Sequence, residues 1–229
     1  MEQTLKGRSP GWAGGFKNSH LAQAWLILVL ALIFGAALAA VQVNLSQIIR
    51  NNKLKETLER IPELVRGAGP AGQMKIRNPA LDIVPGTVAT AKDGGQISYY
   101  PLYRVSLSGR LSGWVIKAAG PGYADKIELL IGLDPAAERI TGLFILEQKE
   151  TPGLGNKISL ARWRNQFIQK STALPLTVAK GPSPTSNSID AVTGATISSR
   201  SVAGIVNRAI DDVKGRLNPA NIRFSERQF

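Results

Sequence analysis

Apolar residues fall along this chain in three rhythms. The first is unbroken: residues 26–41 read LILVLALIFGAALAAV, and no charged residue occurs anywhere in 21–43. That length suits a helix crossing the roughly 20-residue span of a hydrocarbon core. Trp25 stands at its edge, where interfacial aromatics collect. The run also contains Ala37-Leu38-Ala39, a small-x-small pattern of the kind at which a secretory signal is cleaved. The length of the run and the extended arm before it favour a retained transmembrane helix over 21–43, preceded by an N-terminal arm over 1–20. The second rhythm is helical. Leu54, Leu58, Ile61 and Val65 recur at three- and four-residue spacing, with Glu and Lys on the other face. It predicts a helix and linker over 44–72, ending in the glycines and proline at Gly67, Gly69, Pro70 and Gly72. The third rhythm is short. Runs at 99–107, 111–118, 127–133 and 140–146 are rich in β-branched and aromatic residues, separated by turn formers at Gly109, Gly120, Gly122 and Asp134-Pro135. Helical spacing then returns at 158–170, with Leu160, Trp163, Phe167 and Ile168 near one side. It returns again at 201–217, where Val202, Ile205, Val206, Ala209, Ile210 and Val213 form one stripe. Together these predict an α+β domain over 73–229, an antiparallel sheet with packing helices, behind one membrane helix.

Composition narrows the chemistry. A chain of 229 residues accommodates one good-sized domain and an appendage. Cysteine is absent, which removes disulfides, thiolate metal sites, iron–sulfur clusters, a cysteine nucleophile and a lipidated N-terminal cysteine together. The single histidine, His20, lies in the arm, so a multi-histidine metal centre or a bis-histidine haem is unavailable. A redox cofactor in this chain must need neither ligand, and a flavin meets that condition. The net charge of +12 is spread along the sequence. With no basic stripe interleaved with aromatics and no zinc-finger spacing, nothing points to a nucleic-acid partner. Lys6, Arg8 and Lys17 precede the span, and Arg50, Lys53, Lys55 and Arg60 follow it, so charge alone leaves its orientation undecided.

Two segments hold candidate chemistry. In SIDAVTGATISS, residues 188–199, hydroxyls surround a Gly-Ala step just before the last helix. Those hydroxyls could cap the helix. Equally, the free N–H groups and the positive end of the helix dipole suit a phosphate, and Gly194 leaves room for a close approach. The second segment, EQKETPGLGNKI over 147–158, reads as a loop after a strand, rigid at Pro152 and open at Gly153 and Gly155. An ordinary strand-to-helix turn accounts for it as well. Lys180 is either a positive charge for a phosphate or flavin ring, or a solvated surface lysine.

The segment DAVTGATISS resembles the flavinylation motif, Asp-x-x-Ser/Thr-Gly-Ala-Thr, of the FMN-binding subunits of Rnf-type ion-translocating oxidoreductases and of sodium-pumping NADH:quinone oxidoreductases. The resemblance implies FMN bound covalently through a phosphoester to Thr196, with Asp190, Thr193, Gly194 and Ala195 in the other motif positions. Ser198-Ser199 stand where the family often has Thr-Ser. The upstream segment resembles the family's Glu-Thr-Pro-Gly-Leu-Gly stretch, which borders the flavin and makes Glu150, Thr151, Leu154 and Gly155 candidate contacts. Gln148 replaces a histidine found in some relatives, so no imidazole role carries over. That wording and the short chain look closer to the G subunit of Rnf than to the C subunit of the quinone reductase. What the resemblance implies is an electron-relay subunit working beside other membrane and iron–sulfur subunits. It further implies an inner-membrane anchor with its N-terminus in the cytoplasm and its flavin domain in the periplasm. A flavin transferase is implied for maturation, since no base adjoins Thr196 in sequence. The C subunit of the quinone reductase is the first alternative. The second is a cofactor-free, membrane-tethered binding or scaffold protein in which Thr196 only caps a helix.

A retained anchor has a direct test. N-terminal sequencing of the native protein is expected to begin upstream of the apolar run, and a mature chain starting near Ala40 would instead identify a cleaved signal.

Overall fold

The apolar run and the amphipathic stretch behind it form one continuous helix, α1 (His20–Arg66). In the computed structural model, residues 20–66, 81–91, 97–181, 185–218 and 221–224 are described. Most of the expected arm and the linker at Gly67, Gly69, Pro70 and Gly72 therefore lie outside the described residues. The α1 helix is long and apolar enough to cross a membrane. Its Leu26, Ile27, Phe34 and Leu38 stand exposed, a concentration of apolar surface that water does not favour. The chain divides into two units, Met1–Asn52 and Lys53–Phe229, and the second holds the remaining elements.

Five strands follow one another as an antiparallel meander: β1 (Leu81–Ala91), β2 (Ile97–Leu107), β3 (Arg110–Pro121), β4 (Lys126–Leu133) and β5 (Ile140–Glu147). A short last strand, β8 (Arg223–Phe224), pairs with β1 and completes the order β5-β4-β3-β2-β1-β8. The β2–β3 turn is a two-residue hairpin in which Ser108 and Gly109 have φ of 49° and 79°. Positive φ at both central positions gives the twist that flanking strands prefer. The strand runs expected from the sequence all form. β1 was not among them, because Pro85 and Gly86 interrupt its pattern of strand formers.

Both faces of the sheet are apolar, and each is covered by a helix. Side chains alternate across a strand, so Tyr103, Val105, Val115 and Leu130 point to one face, where Ile61, Leu64 and Val65 at the end of α1 pack on them. Leu102, Trp114, Ile116, Leu129 and Ile131 point to the other. There they meet the stripe Val202, Ile205, Val206, Ala209, Ile210 and Val213 of α3 (Thr196–Val213). The helix therefore starts earlier than the expected 201–217, because residues 196–200 already adopt its conformation. Tyr100 on β2 donates its hydroxyl to Asp212 near the far end of α3 at 2.6 Å. Burial and then that carboxylate push the phenol pKa up to about 12.

The helix expected at 158–170 is broken. It appears as a 3-10 turn (Gly155–Ser159), α2 (Ala161–Arg164) and a second 3-10 turn (Asn165–Phe167). Its apolar residues still reach the core, since Ile158, Trp163 and Phe167 are buried. What ends it is competition from the sheet edge. Ile168 is extended, and the next two residues pair with β5 through Gln169 N–H to Ile140 O at 2.8 Å and Ile140 N–H to Lys170 O at 2.9 Å. The chain then forms β6 (Thr177–Ala179) and β7 (Ser188–Asp190), a small parallel pair that leads into α3.

Where α1 crosses the sheet, Gly132 on β4 faces Gly142 on β5. A Cβ at Gly132 would lie 2.5 Å from the backbone oxygen of Leu64, and one at Gly142 would lie 2.9 Å from the Leu64 Cδ2. Helix backbone thus rests directly on strand backbone. Gly132→Ala forces an overpacked contact expected to cost about 1–3 kcal/mol. For a chain of this size that lowers the melting temperature by roughly 2–4 °C per kcal/mol. A thermal melt of the full chain in detergent measures it, and an unchanged midpoint would contradict this packing.

Candidate functional site

The start of α3 is set by a closed loop. Ser199 Oγ accepts the Val192 N–H at 3.0 Å and donates to Ala195 O at 3.0 Å, while Ala195 N–H donates to Val192 O at 2.9 Å. Gly194 sits within that loop at φ 80°, a left-handed conformation that disfavours a Cβ. The N-cap position falls to Ala195, and no side chain caps the helix. The hydroxyl cap allowed by the sequence is thus not used: Ser199 is committed to closing the loop and Thr193 is exposed. The first-turn residues Thr196, Ile197 and Ser198 line a cleft of about 700 Å³. A side-chain cap is lacking where the helix dipole is most positive, the arrangement that suits a phosphate.

The opposite wall of the cleft comes from the loop after β5. Thr151, Leu154 and Gly155 line it, as do Thr193, Gly194, Ala195 and Thr196 from the α3 loop and Lys180 from the end of β6. Two stretches far apart in sequence, and the lysine between them, are therefore brought to one place. Lys180 is exposed there. Glu150 and Asp190 do not line the cleft. Asp190 is fixed through its backbone, its N–H donating to Gln166 Oε1 at 2.8 Å and its carbonyl accepting from Trp163 Nε1 at 2.8 Å. Glu150 is buried, and its carboxylate points into the protein.

The sequence reading missed Tyr123. It lies in the β3–β4 turn, lines the cleft, and is 64% exposed. With Leu154 and Ile197, also exposed, it sets apolar surface around the cleft. The only signal in sequence was an aromatic following Gly120-Pro121-Gly122, which reads as a turn. The turn is closed by Gly122 N–H to Asp125 O at 2.8 Å. Beside it, the Lys126 amide and then the Lys149 ammonium hold the Asp125 carboxyl below the usual carboxylate range.

The residues present fit a phosphorylated aromatic group. The volume lies in the roughly 300–1,000 Å³ range of ligand sites. An uncapped helix start and Lys180 suit a phosphate, Tyr123, Leu154 and Ile197 suit a planar ring, and the Thr196 hydroxyl is in the cleft.

Residues 122–211 match the FMN-binding domain family. The chain is 37% identical over 113 residues to the G subunit of an ion-translocating oxidoreductase complex from Aliivibrio fischeri, covering 48% of this chain and 53% of that one. It is 32% identical over 139 residues to the G subunit of an ion-translocating oxidoreductase complex from Methanosarcina acetivorans, covering 60% of this chain and 70% of that one. The chain spans about half the length of several curated relatives it matches. Among solved structures, it resembles the C subunit of the Na(+)-translocating NADH-quinone reductase from Parabacteroides distasonis with a TM-score of 0.55 and 18% identity. That likeness covers 76% of this chain and 95% of the other, and it is one of fold.

The loop geometry at Gly194 is testable by itself. A Cβ there would meet Leu154 Cδ2 at 3.0 Å as well as sit at positive φ. Gly194→Ala is expected to cost about 1–2 kcal/mol from the backbone alone, read as a lowered midpoint in urea denaturation.

Proposed function

The chain belongs to the family of G subunits of ion-translocating oxidoreductase complexes, and from that premise we propose that it is an electron-transfer subunit holding FMN in the cleft at the start of α3. The observation that carries this is the meeting of Thr196 with Thr151, Leu154 and Gly155 around one cleft. Those residues belong to the two motifs that resemble the family's flavin segments. The attachment proposed is a phosphoester from the Thr196 side-chain oxygen to the flavin phosphate. Bound there, FMN would supply the capacity to take up and pass on electrons one at a time.

The chain's own residues account for binding and orientation. The first-turn amides of α3 and Lys180 would hold the phosphate, with the helix dipole adding to the attraction. Thr193, Gly194 and Ala195 keep the acceptor turn in shape, and Leu154, Ile197 and Tyr123 exclude water from a ring. Asp190 acts one step back, through the backbone bonds that fix the end of β7. Forming the phosphoester joins the Thr196 oxygen to phosphorus, expels a leaving group from that phosphorus and releases the hydroxyl proton. Against FMN itself the balance is the loss of one water. A flavin transferase would supply both the activated flavin phosphate and the base. The complex proposed contains other membrane and iron–sulfur subunits. Residues 21–43 would anchor the chain in the inner membrane, with the N-terminal arm 1–20 in the cytoplasm and the domain over 73–229 in the periplasm.

Thr196→Val tests the attachment. It keeps the side-chain shape, and because no hydroxyl caps α3, the change in stability is expected to stay within about 0.5 kcal/mol. The native protein is expected to fluoresce under ultraviolet light in a denaturing gel. The variant should be dark and, beyond the mass change of the substitution itself, lighter by one FMN less one water, and Thr193→Val should still fluoresce. Flavin retained through denaturation by Thr196→Val would refute the assignment.

A further inference from the structure

Glu150 is 4% exposed and makes bonds to two other segments of the cleft. Its Oε1 accepts the backbone N–H groups of Tyr123 at 2.9 Å and Ala124 at 3.2 Å. Its Oε2 accepts the Ser198 hydroxyl at 2.5 Å, from a residue 48 positions along the chain. Its own N–H donates to Gln148 Oε1 at 2.7 Å, which orients the start of the loop. Room for the side chain exists because two neighbours have none. A Cβ at Gly155 would lie 2.8 Å from the Glu150 Cβ, and one at Gly122 would collide with Oε1. Two amides and a hydroxyl, donors without formal charge, thus converge on one buried carboxylate. They come from the β3–β4 turn and the first turn of α3, and Glu150 itself directly precedes Thr151, the first residue of the opposite wall.

We propose that Glu150 is the positioning residue of this cleft, a buried acceptor that fixes Tyr123 and the first turn of α3 at a set distance from the loop holding Thr151 and Leu154. This rests on the reading of the cleft as the FMN site, and it changes the role of Glu150 from flavin contact to frame. Ser198 lies two residues after Thr196 on the same turn, so the bond to Ser198 holds the acceptor hydroxyl against the wall opposite. The bonds to Tyr123 and Ala124 hold the ring-facing aromatic. The requirement is for an acceptor of matching shape more than for bulk. A glutamine can meet it, with its carbonyl oxygen taking the two amides and its NH2 donating to Ser198 Oγ, which then accepts. A leucine fills the space and can accept nothing, leaving three donors unpaired.

The test uses the full chain in detergent, made without the flavin transferase and then loaded with it. In the unloaded protein, Glu150→Leu is expected to speed amide hydrogen exchange at Tyr123 and Ala124 at least tenfold. On addition of the transferase and its flavin donor, covalent loading should slow by up to about 100-fold, the scale of loss when an acceptor is misplaced by an ångström. Glu150→Gln is expected to restore both readouts to within a few fold of the native chain. Should Glu150→Leu fail to fold, Ser198→Ala serves in its place. It should slow loading while exchange at Tyr123 stays native, because only the α3 bond is lost. Native exchange and native loading in Glu150→Leu, or a glutamine variant as slow as the leucine one, overturns the proposal. Thr196→Val runs alongside. If it retains flavin through denaturation, the site assignment has failed, whereas its loss of flavin beside unaffected Glu150 variants defeats the positioning role alone.

Discussion

A meander sheet that is apolar on both faces has to be covered twice, and that requirement organises the domain. The β3 and β4 strands place Val115 and Leu130 on one side and Ile116, Leu129 and Ile131 on the other, all fully buried. Fully burying a side chain of this kind contributes about 1.5–3 kcal/mol, so neither face can be left to water. The last turns of α1 close one side, which is why its amphipathic pattern continues through Val65. The α3 helix closes the other, and its stripe fixes the rotation of its first turn. The cleft therefore lies where α3 begins because the core, not the ligand, decides where α3 lies.

Much of this was legible. The unbroken run at 26–41, the β-branched segments and the stripe from Val202 to Val213 each show one clear pattern, and each becomes an element of the expected type. The departures share a cause. β1 contains Pro85 and Gly86, which argue against a strand locally, yet it pairs with β2 along its whole length because the sheet supplies the hydrogen bonds. The helix expected at 158–170 gives way after Phe167 because the edge of β5 offers Gln169 and Lys170 better-placed partners. In both cases hydrogen bonds from a partner strand outweigh local preference.

The site divides in the same way. Residues inside one short motif, such as Thr193, Gly194 and Thr196, could be picked out from sequence, and so could Thr151, Leu154 and Gly155. Their convergence on one cleft is now visible, and the family match over residues 122–211 encloses both stretches. Tyr123 was not legible, since its relation to Thr196 passes through the β3–β4 turn and the sheet. The orientation of Glu150 was also hidden. A glutamate in a loop reads as a surface or ligand-facing charge, and only the space vacated at Gly122 and Gly155 lets it turn inward.

Strand order also bears on when the cleft comes into being. The meander from β1 to β5 joins neighbours in sequence, so its hairpins close short loops, which are quick to form. The cleft instead joins the β3–β4 turn, the loop after β5 and the first turn of α3, contacts of longer range whose closing piece is α3, the last α-helix among the described residues. A chain that stalls or is truncated before α3 docks has the Thr-Pro-Gly-Leu-Gly wall but no Thr196 opposite it. Any enzyme that modifies Thr196 by recognising this cleft would thus act only after α3 is home, and its product would mark chains in which that helix had docked.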